Sequence, residues 1–505
     1  MGDSYDLAIV GGGSAGLTAA RFGVALGARV ALIDLHPDAL GGDCLHTGCV
    51  PSKALLHAAR AYWSAGRTTE YDLPDFTPSG PVDLGRVMDG VREVIARAGE
   101  VDSPAALGAL GIALHFGQAR FRSPTLLEVA GVPVRARRYV IATGSRPTIP
   151  DVAGLDGLDY RTNDTVFDLR ALPPSLLVLG GGTIGCELGQ AFSRLGARVT
   201  IVERAARLLP KEEPEASAVL ERVFAREGVR VLVGTTVARL HRDGDEVVAT
   251  IVRGGERLEV RAAALLVAAG RRVDVASLAL DAAGIATNEA GVVVDAYGRT
   301  TNPLVYACGD VIGQLRFTHA AGYQAAVVVR NALLPTRAKL DYRAIPWATF
   351  TSPEVGRIGL TEAEARARHP RVAVTLFPHG HVDRALAARE YADEGFVKLV
   401  HDPQGRLYGA QIVGPAAGET INEVAIAMRH GLTVGDLGAA IHVYPTFGMG
   451  LQQAALAWRA GSGAARLARR VLRPVFRWQR RRALRSGETG GGPGGGSEGG
   501  EPGAA

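Results

Sequence analysis

The sequence predicts an α/β protein, because one local pattern occurs twice along the chain. Each copy consists of an apolar strand, a glycine-rich turn, a helix, a second strand and a terminal acidic residue, over residues 7–34 and again over 176–203. This order is typical of a Rossmann-like unit that binds a dinucleotide. The chain of 505 residues is also too long for one hydrophobic core, which fits two or more domains.

The first copy supplies every part that a dinucleotide requires. Gly11 permits the tight turn, Gly13 lets the backbone approach a pyrophosphate, and Gly16 allows close packing of the helix. Ser14 lies at the start of that helix, whose N-terminus attracts phosphate. The second strand ends at Asp34, which can accept hydrogen bonds from a ribose. A glycine turn alone would be a weak signal, but the strands and the acid strengthen it.

The second copy places Gly180, Gly182 and Gly185 in its turn and ends its second strand at Glu203. A second dinucleotide is therefore expected. A glutamate here accepts the ribose 2′-hydroxyl and repels a 2′-phosphate, which favours NADH over NADPH. Two arginines close behind it weaken this preference. The alternative is that Glu203 only solvates the end of a strand.

Shorter motifs follow other predicted strands. Ala142, Thr143 and Gly144 mark the exit of the chain from the first nucleotide unit. Gly270 lies at the matching place after the second unit. A third motif ends a strand on Gly309 and Asp310, whose carboxylate could hold a sugar-alcohol chain. Alone, this last pair would be an ordinary turn.

Composition and charge exclude several classes of protein. Hydrophobic residues make up 47% of the chain and charged residues 21%, and the apolar runs are only strand-sized, so no membrane-spanning helix is predicted. The net charge is +5, yet nine arginines and no acid lie between Arg466 and Arg485. A nearly neutral body does not indicate a nucleic-acid enzyme. The N-terminus runs directly into a strand, which predicts a cytoplasmic protein without a signal peptide.

The cysteines indicate redox chemistry. Cys44 and Cys49 are five residues apart and can meet across little more than one helical turn, whereas Cys186 and Cys308 stand singly within strand or helix patterns. A zinc site would need further Cys or His ligands. Zinc and two unlinked buried thiols are thus the weaker alternatives, and no metal site is predicted. The pair is expected to form a redox-active disulfide beside an electron donor.

With these motifs in order, residues 5–460 resemble the class I flavoprotein disulfide reductases, the pyridine nucleotide-disulfide oxidoreductases. The likeness is strongest to the branch of mercuric reductase and dihydrolipoamide dehydrogenase. It is carried by the two glycine turns, the segment from Cys44 to Lys53, the exit motifs at 142–144 and 268–272, Gly309-Asp310, and the Phe-Thr-Ser-Pro-Glu-Val segment at 350–355.

The resemblance implies an enzyme that binds FAD and NAD(P)H, forms a homodimer and acts on sulfur groups. Electrons would pass from nicotinamide to flavin to the disulfide, with Cys49 nearest the flavin as the thiolate and Cys44 as the exposed thiol that attacks the acceptor. Lys53 would lie beside the flavin and pair with Glu187. The remaining flavin contacts would be Asp310, on the ribityl chain, and the start of the helix near His319 and Ala320, although His319 could also be purely structural.

The sequence departs from the family where the acceptor reacts. Members that reduce disulfides use a histidine of the partner subunit, followed five residues later by a glutamate, as acid and base. Aligned on Pro445, this chain has Tyr444 at the histidine position and Met449 at the glutamate position. His442 matches a second histidine of some lipoamide enzymes. It is either a replacement base, after a loop rearrangement, or part of the interface.

The acceptor therefore stays open between a small-molecule disulfide, a thiol-bound metal and a quinone. A tyrosine at position 444 resembles mercuric reductase, but no cysteine follows Cys308 and no cysteine-containing metal-trapping domain precedes residue 5. The sequence thus argues against efficient mercury detoxification. A quinone reductase held at a membrane and a flavin-bound redox sensor with little turnover remain as alternatives.

We expect an FAD-binding domain formed by residues 1–150 and 276–340, with an NAD(P)-binding domain, 151–275, inserted between them. An α+β dimerisation domain would cover 341–460. Residues 461–505 form a basic and then glycine-rich tail whose amphipathic stretch is interrupted at Pro474. Two hypotheses remain for this tail: a solvated or disordered extension, or peripheral contact with anionic lipid at the inner face of the membrane.

Overall fold

The first unit is a five-stranded parallel sheet. The computed structural model describes residues 4–76, 80–390, 394–461 and 463–487. In spatial order the strands are β19 (Val305–Ala307), β7 (Ala136–Ile141), β1 (Tyr5–Val10), β2 (Val30–Asp34) and β3 (Ala113–Phe116). The chain thus leaves this sheet after Ile141 and returns to it at Val305.

The two faces of this sheet carry different partners, because successive side chains of a strand point to opposite sides. Leu7 and Ile9 pack in the core formed with the first and last helices of the unit, whereas Ala8 and Val10 pack against a small antiparallel sheet. That sheet consists of β4 (Ala119–Ser123), β5 (Leu126–Val129) and β6 (Val132–Val134). The helices are α1 (Ser14–Ala25), α2 (Gly42–His46), α3 (Cys49–Ala65), α4 (Leu84–Gly99), α5 (Pro104–Ala109) and α8 (Thr318–Leu333).

The second unit repeats this design on a smaller scale. Its parallel sheet has the order β11 (Arg230–Leu232), β10 (Arg198–Val202), β9 (Ser175–Leu179) and β15 (Ala264–Val267). Its helices are α6 (Thr183–Arg194) and α7 (Pro214–Arg226), and its antiparallel sheet consists of β12 (Thr235–Asp243), β13 (Glu246–Arg253) and β14 (Glu256–Ala262). The exits of the two units pair with each other as β8 (Arg146–Pro147) and β16 (Arg271–Arg272), before the short hairpin β17 (Thr287–Asn288) and β18 (Gly291–Val292).

The third unit is an antiparallel sheet with helices. Its order is β20 (Pro346–Thr349), β21 (Glu354–Gly359), β24 (Leu407–Gly414), β23 (Phe396–His401) and β22 (Ala373–Pro378). The helices are α9 (Glu362–Arg368), α10 (Asp383–Ala388), α11 (Ala417–His430), α12 (Val434–Ala439) and α13 (Met449–Gly461). The predicted α/β fold with a C-terminal α+β unit is confirmed, whereas the exact domain boundaries stay predictions.

The basic segment differs from its prediction. Residues Gly463–Gly487 form one helix, α14, and Pro474 lies inside it rather than interrupting it. A proline removes one hydrogen bond from a helix, and on this exposed helix water can satisfy the carbonyl that it leaves. Residues 463–487 thus form an exposed helix, and the choice between a solvated extension and contact with lipid stays a prediction. The glycine-rich residues 488–505 lie outside the described part. Within that part, no helix is long and apolar enough to cross a membrane.

Candidate active site

A cavity of about 3180 Å³ extends from the first glycine turn to the second. Its lining includes Gly11, Cys49, Gly182 and Trp347, which come from all three units. A pocket for a drug-sized ligand measures roughly 300–1000 Å³. The cavity therefore has room for two ligands of dinucleotide size, one against each glycine turn.

The first glycine turn has the geometry that the sequence predicts for a phosphate site. Gly11 has a φ of +111°, and a Cβ added at Gly16 would lie 1.7 Å from the Gly11 carbonyl oxygen. The turn and helix α1 can therefore approach each other this closely only when both positions are glycine. The cap residue Gly13 offers no side chain to the first amides of α1. These amides face the cavity at the positive end of the helix, where an anion is stabilised.

The second turn reproduces this arrangement almost atom for atom. Gly180 has a φ of +116°, and a Cβ at Gly185 would lie 1.9 Å from the Gly180 carbonyl oxygen. At Gly182 an added Cβ would meet no atom within 4 Å. Space for a second pyrophosphate is therefore open beside helix α6.

The two terminal acids also occupy equivalent places. Asp34 accepts hydrogen bonds from the N–H groups of Gly12, at 2.5 Å, and Leu35, at 2.6 Å. Glu203 accepts them from Gly181 and Ala205, both at 2.6 Å. Each carboxylate thus holds its glycine turn, a structural role beyond the predicted contact with ribose. Burial raises the pKa of Asp34, although its hydrogen bonds partly offset this effect.

The two cysteines of the predicted redox pair lie at the centre of the cavity wall. Cys44 belongs to α2, and Cys49 is the first residue of α3. Both are free thiols here, so the predicted disulfide is not formed in this structure. They nevertheless lie close enough for each to shift the pKa of the other. This proximity is what formation of a disulfide requires.

The two thiols differ in acidity. The pKa of Cys49 is lowered to about 6, because Cys44 and Thr318 donate hydrogen bonds to it and Lys53 places positive charge nearby. The pKa of Cys44 is raised by its hydrogen bond to Cys49, by burial and by the negative charge on Cys49. The N-terminus of the 17-residue helix α3 also favours a thiolate at Cys49. The surroundings therefore favour the thiolate at Cys49 over the thiolate at Cys44.

Lys53 and Glu187 are brought together from different units. Lys53 follows Cys49 by one helical turn and so lies on the same face of α3. Its Nζ is 2.8 Å from Oε2 of Glu187, whose side chain is only 4% exposed. The other carboxylate oxygen, Oε1, accepts the N–H of Phe350 at 2.8 Å. Nζ also lies 4.6 Å from the centre of the Phe350 ring.

The motif at 350–355 fixes the third unit to helix α6. The N–H of Ser352 donates to Gln190 at 2.7 Å, and the Gln190 side-chain amide donates to the Ser352 carbonyl at 2.8 Å. Together with the contact of Phe350 to Glu187, these bonds align the third unit with the wall of the cavity.

Asp310 belongs to a polar network that reaches the redox segment. Its Oδ2 accepts the hydroxyl of Ser145 at 2.6 Å. The guanidinium of Arg271 donates to Ser145 through Nε at 2.7 Å and is also paired with the carboxylate of Asp43. Arg271 therefore links the exit of the second unit to the residue immediately before Cys44.

The start of helix α8 lies beside Cys49. Thr318, its first residue, has its hydroxyl oxygen 3.4 Å from Sγ of Cys49. His319 lines the cavity, but its Nε2 is 2.6 Å from the Pro346 carbonyl oxygen. Ala320 is fully buried. His319 thus makes a hydrogen bond within the protein, as its structural alternative requires, and its place near the flavin stays a prediction.

Tyr444 and His442 do not reach Cys44 within this chain. The hydroxyl of Tyr444 donates to Asp383 at 3.1 Å, and Tyr444 is 64% exposed on a loop with Ile441, which is 98% exposed. Nε2 of His442 lies 2.8 Å from Oε2 of Glu423. A glutamate of helix α11 thus pairs with His442, and the sequence alone did not indicate this pair.

Sequence reasoning also missed other contacts at the site. Thr318 and Glu423 carry no motif of their own, and only their contacts show their relevance. Ser145 lies directly after the exit motif at 142–144, but its contacts with Asp310 and Arg271 could not be read from that motif. Arg271 lies inside an exit motif, and a charged residue in such a loop was the available signal. Among the residues that the structure describes, no group of three or more His, Cys, Asp or Glu side chains is arranged to hold a metal ion.

Two family models match the chain. The model for pyridine nucleotide-disulphide oxidoreductase covers residues 5–325, and the model for the dimerisation domain of the same enzymes covers residues 345–455. The chain belongs to the pyridine nucleotide-disulphide oxidoreductases. Such an oxidoreductase binds FAD and a pyridine nucleotide, carries a redox-active disulfide and uses NAD(P)H. The dimerisation domain supports a homodimer.

Several characterised proteins are similar to this oxidoreductase over most of their length. Mercuric reductase of Streptomyces lividans is 38% identical over 462 residues, which are 89% of this chain and 95% of that protein. Dihydrolipoyl dehydrogenase of Thermus scotoductus is 36% identical over 461 residues, covering 90% and 97%. The structure of RclA from Escherichia coli, an HOCl-induced flavoprotein disulfide reductase, matches with a TM-score of 0.79 at 28% identity, covering 89% and 99%.

The cavity fits both cofactors of the family. The open space beside Gly182, the uncapped amides of α1 and α6, and the fixed acids Asp34 and Glu203 are the features that two dinucleotides require. The family models and the similar proteins confirm the resemblance identified from the sequence.

Proposed function

We propose that this oxidoreductase transfers electrons from NADH through FAD to Cys44 and Cys49, and from there to a metal ion bound by thiolate. When bound, FAD would supply the step between a two-electron hydride donor and the cysteine pair. The observation that carries the proposal is a pair of thiols on the wall of one cavity without a free histidine base beside them. The two histidines of that wall, His46 and His319, each have Nε2 bonded to a backbone carbonyl oxygen, at 2.8 Å and 2.6 Å.

On the donor side, we assign the first glycine turn to FAD and the second to NADH. The proposed FAD contacts are Gly11, Gly13, Ser14, Gly16, Asp34, Lys53, Ala142, Thr143, Gly144, Gly309, Asp310, His319 and Ala320. The proposed NADH contacts are Gly180, Gly182, Gly185, Glu203 and Gly270. All of these positions except Gly16, Gly185 and Ala320 line the same cavity, and those three pack behind it.

The preference for NADH over NADPH rests on Glu203. Both of its oxygens accept backbone N–H groups, which fixes the carboxylate at the end of β10. The guanidinium of Arg207 is engaged with the carbonyls of Pro210 and Glu212. A 2′-phosphate would therefore approach a fixed negative charge.

A soft metal ion is the acceptor that this site accommodates without an additional base. Metal ions of this kind bind thiolates directly, so no proton has to be delivered to a leaving thiol. The relatives point the same way: two are mercuric reductases of Bacillus cereus and Streptomyces lividans, and RclA is also known as a Cu(II) complex.

A disulfide acceptor is the second candidate, favoured by the pair of His442 and Glu423. In a homodimer, the exposed loop that carries Ile441 and Tyr444 is available to contact the partner subunit. A histidine held 2.8 Å from a glutamate has the elements of an acid–base pair for a departing thiol.

The decisive experiment is a steady-state assay of the FAD-loaded enzyme with NADH and four acceptors: Cu(II), Hg(II), lipoamide and glutathione disulfide. Each acceptor is tested with the unaltered enzyme, with Cys44→Ser and with Cys308→Ala. Cys308 is fully buried away from the cavity and serves as the matched control.

We expect the metal ions to give the faster turnover, Cys44→Ser to lower it at least about a hundredfold, and Cys308→Ala to retain it. Metal-dependent turnover that survives Cys44→Ser would show that the thiol pair is not the exit for electrons. Faster turnover with lipoamide or glutathione disulfide would instead select the second candidate.

A further inference from the structure

Helix α14 is a continuous amphipathic element rather than two halves. It runs from Gly463 to Gly487 through Pro474, so residues on both sides of the proline keep one helical register. At 3.6 residues per turn, the side chains before and after Pro474 can therefore be assigned to common faces.

One half of the circumference is apolar and exposed. Six large apolar side chains share a sector of about 180°, and each is at least 42% exposed: Leu467, Val471, Leu472, Val475, Phe476 and Trp478. A stripe this wide on a globular protein normally faces a core. Here none of the six side chains belongs to a hydrophobic core of the described protein.

The opposite side is basic. Six arginines share a sector of about 120°, and within residues 463–483 none of them forms a salt bridge: Arg469, Arg470, Arg473, Arg477, Arg480 and Arg481. The first turn holds no acid. Arg482 instead lies within the apolar sector, and its guanidinium is 5.4 Å from the centre of the Trp478 ring.

We propose that α14 lies in the plane of an anionic lipid bilayer, with its apolar face in the boundary between headgroups and acyl chains. A helix with leucine, phenylalanine and tryptophan on one face and arginine on the other has the composition of an interfacial helix. The arginines that flank the apolar face, such as Arg469 and Arg481, reach the lipid phosphates from its edges, and those on the opposite side add to the positive potential. Since the rest of the chain is nearly neutral, α14 supplies the attraction to the bilayer.

Pairing with a second copy of the helix fits the sequence less well. A coiled coil needs apolar residues on a narrow seam at alternating spacings of four and three. From Leu467 and Val471, that seam continues through Pro474, Trp478 and Arg481. A proline and a charge therefore fall where the partner helix would pack.

The test is co-sedimentation of the full-length FAD-loaded enzyme with lipid vesicles at physiological salt. One set of vesicles contains phosphatidylcholine alone and the other contains an equal mixture with phosphatidylglycerol. Two variants keep the helix but change its faces. The first exchanges positions, V471R/R473V/V475R/R477V, and keeps both composition and charge. The second is R469Q/R473Q/R477Q, which keeps the apolar face.

We expect binding to the anionic vesicles only, and loss of this binding as salt increases. The exchange variant should bind at least about tenfold more weakly, and the triple arginine variant roughly a hundredfold more weakly, at about fivefold per charge. Turnover with NADH should be the same in all three proteins, since α14 lies outside the active site.

Three results would overturn the proposal. The first is no binding to anionic vesicles, and the second is equal binding by the exchange variant, which would reduce the effect to charge alone. The third is a sedimentation velocity result in which the unaltered enzyme forms a larger assembly than the exchange variant. That result would mean that the apolar face packs against a second copy of the chain.

Discussion

The Nζ atom of Lys53 lies 2.8 Å from Oε2 of Glu187, and this ion pair joins the helix that begins at Cys49 to the helix that follows the second glycine turn. The two residues are 134 positions apart in the chain. Glu187 is almost fully buried, whereas about a third of the Lys53 side chain is exposed, so the glutamate depends on the lysine more than the reverse. This asymmetry leads to the first prediction.

Replacing Lys53 with Met leaves a buried carboxylate that retains only the N–H of Phe350 as partner. We expect a loss of about 1–2 kcal/mol in the free energy of unfolding and slower reduction of the flavin by NADH. Thermal unfolding and rapid-mixing absorbance measure the two effects. Lys339→Met, at an exposed position, should change neither. The double variant Lys53→Met/Glu187→Gln should recover part of the lost free energy of unfolding. If its loss instead equals the sum of the losses of the two single variants, the residues do not stabilise each other.

Thr318 should control the acidity of Cys49. Its hydroxyl stabilises the thiolate and so lowers the pKa of Cys49. Thr318→Val should raise that pKa, and the thiolate absorbance of the reduced enzyme should then develop at higher pH than in the unaltered protein. Thr287→Val, at an exposed strand, is the matched control. An unchanged titration midpoint would remove Thr318 from the site.

Glu203 should determine the choice of nicotinamide donor. Glu203→Gln removes the fixed negative charge while keeping a side chain of similar shape. The ratio of kcat/KM for NADH to that for NADPH should fall about tenfold, which corresponds to ~1.4 kcal/mol. Glu256→Gln, on the exposed strand β14, should leave the ratio unchanged. A constant ratio in Glu203→Gln would mean that the acid only holds the glycine turn.

His442 should distinguish the two candidate acceptors. If a metal ion is the acceptor, His442→Gln and Glu423→Gln should keep nearly full turnover with it. If a disulfide is the acceptor, either change should lower kcat about a hundredfold. His430→Gln, at the exposed end of the helix that carries Glu423, is the control for both assays.

Local pattern was sufficient to predict the two nucleotide units. Gly11 and Gly16, like Gly180 and Gly185, act through backbone geometry within a few residues of themselves, so their spacing carries the whole constraint. The same holds for Cys49 and Lys53, which one helical turn places on one face of α3.

Other features depended on contacts that no spacing encodes. Thr318 reaches Cys49 from 269 residues away, and Arg271 reaches Asp43 from 228 residues away. Glu423 pairs with His442 because α11 passes beside the interface loop. The pairing of Lys53 with Glu187 was expected only from resemblance to the family.

The helical tail shows the same division. Sequence alone revealed the arginines and the apolar residues between Arg466 and Arg485, but a proline at position 474 predicts an interruption. Because the helix is continuous, these residues form two faces that stay aligned on both sides of the proline.

The sequence thus determined the fold class, the two nucleotide turns and the identity of the redox pair, because those features are local and periodic. Only the tertiary structure decided which groups lower the pKa of Cys49, which carboxylates are held by backbone N–H groups and which glutamate pairs with His442. Hydrogen bonding and burial set these properties, and both depend on groups that the folded chain brings together from distant positions.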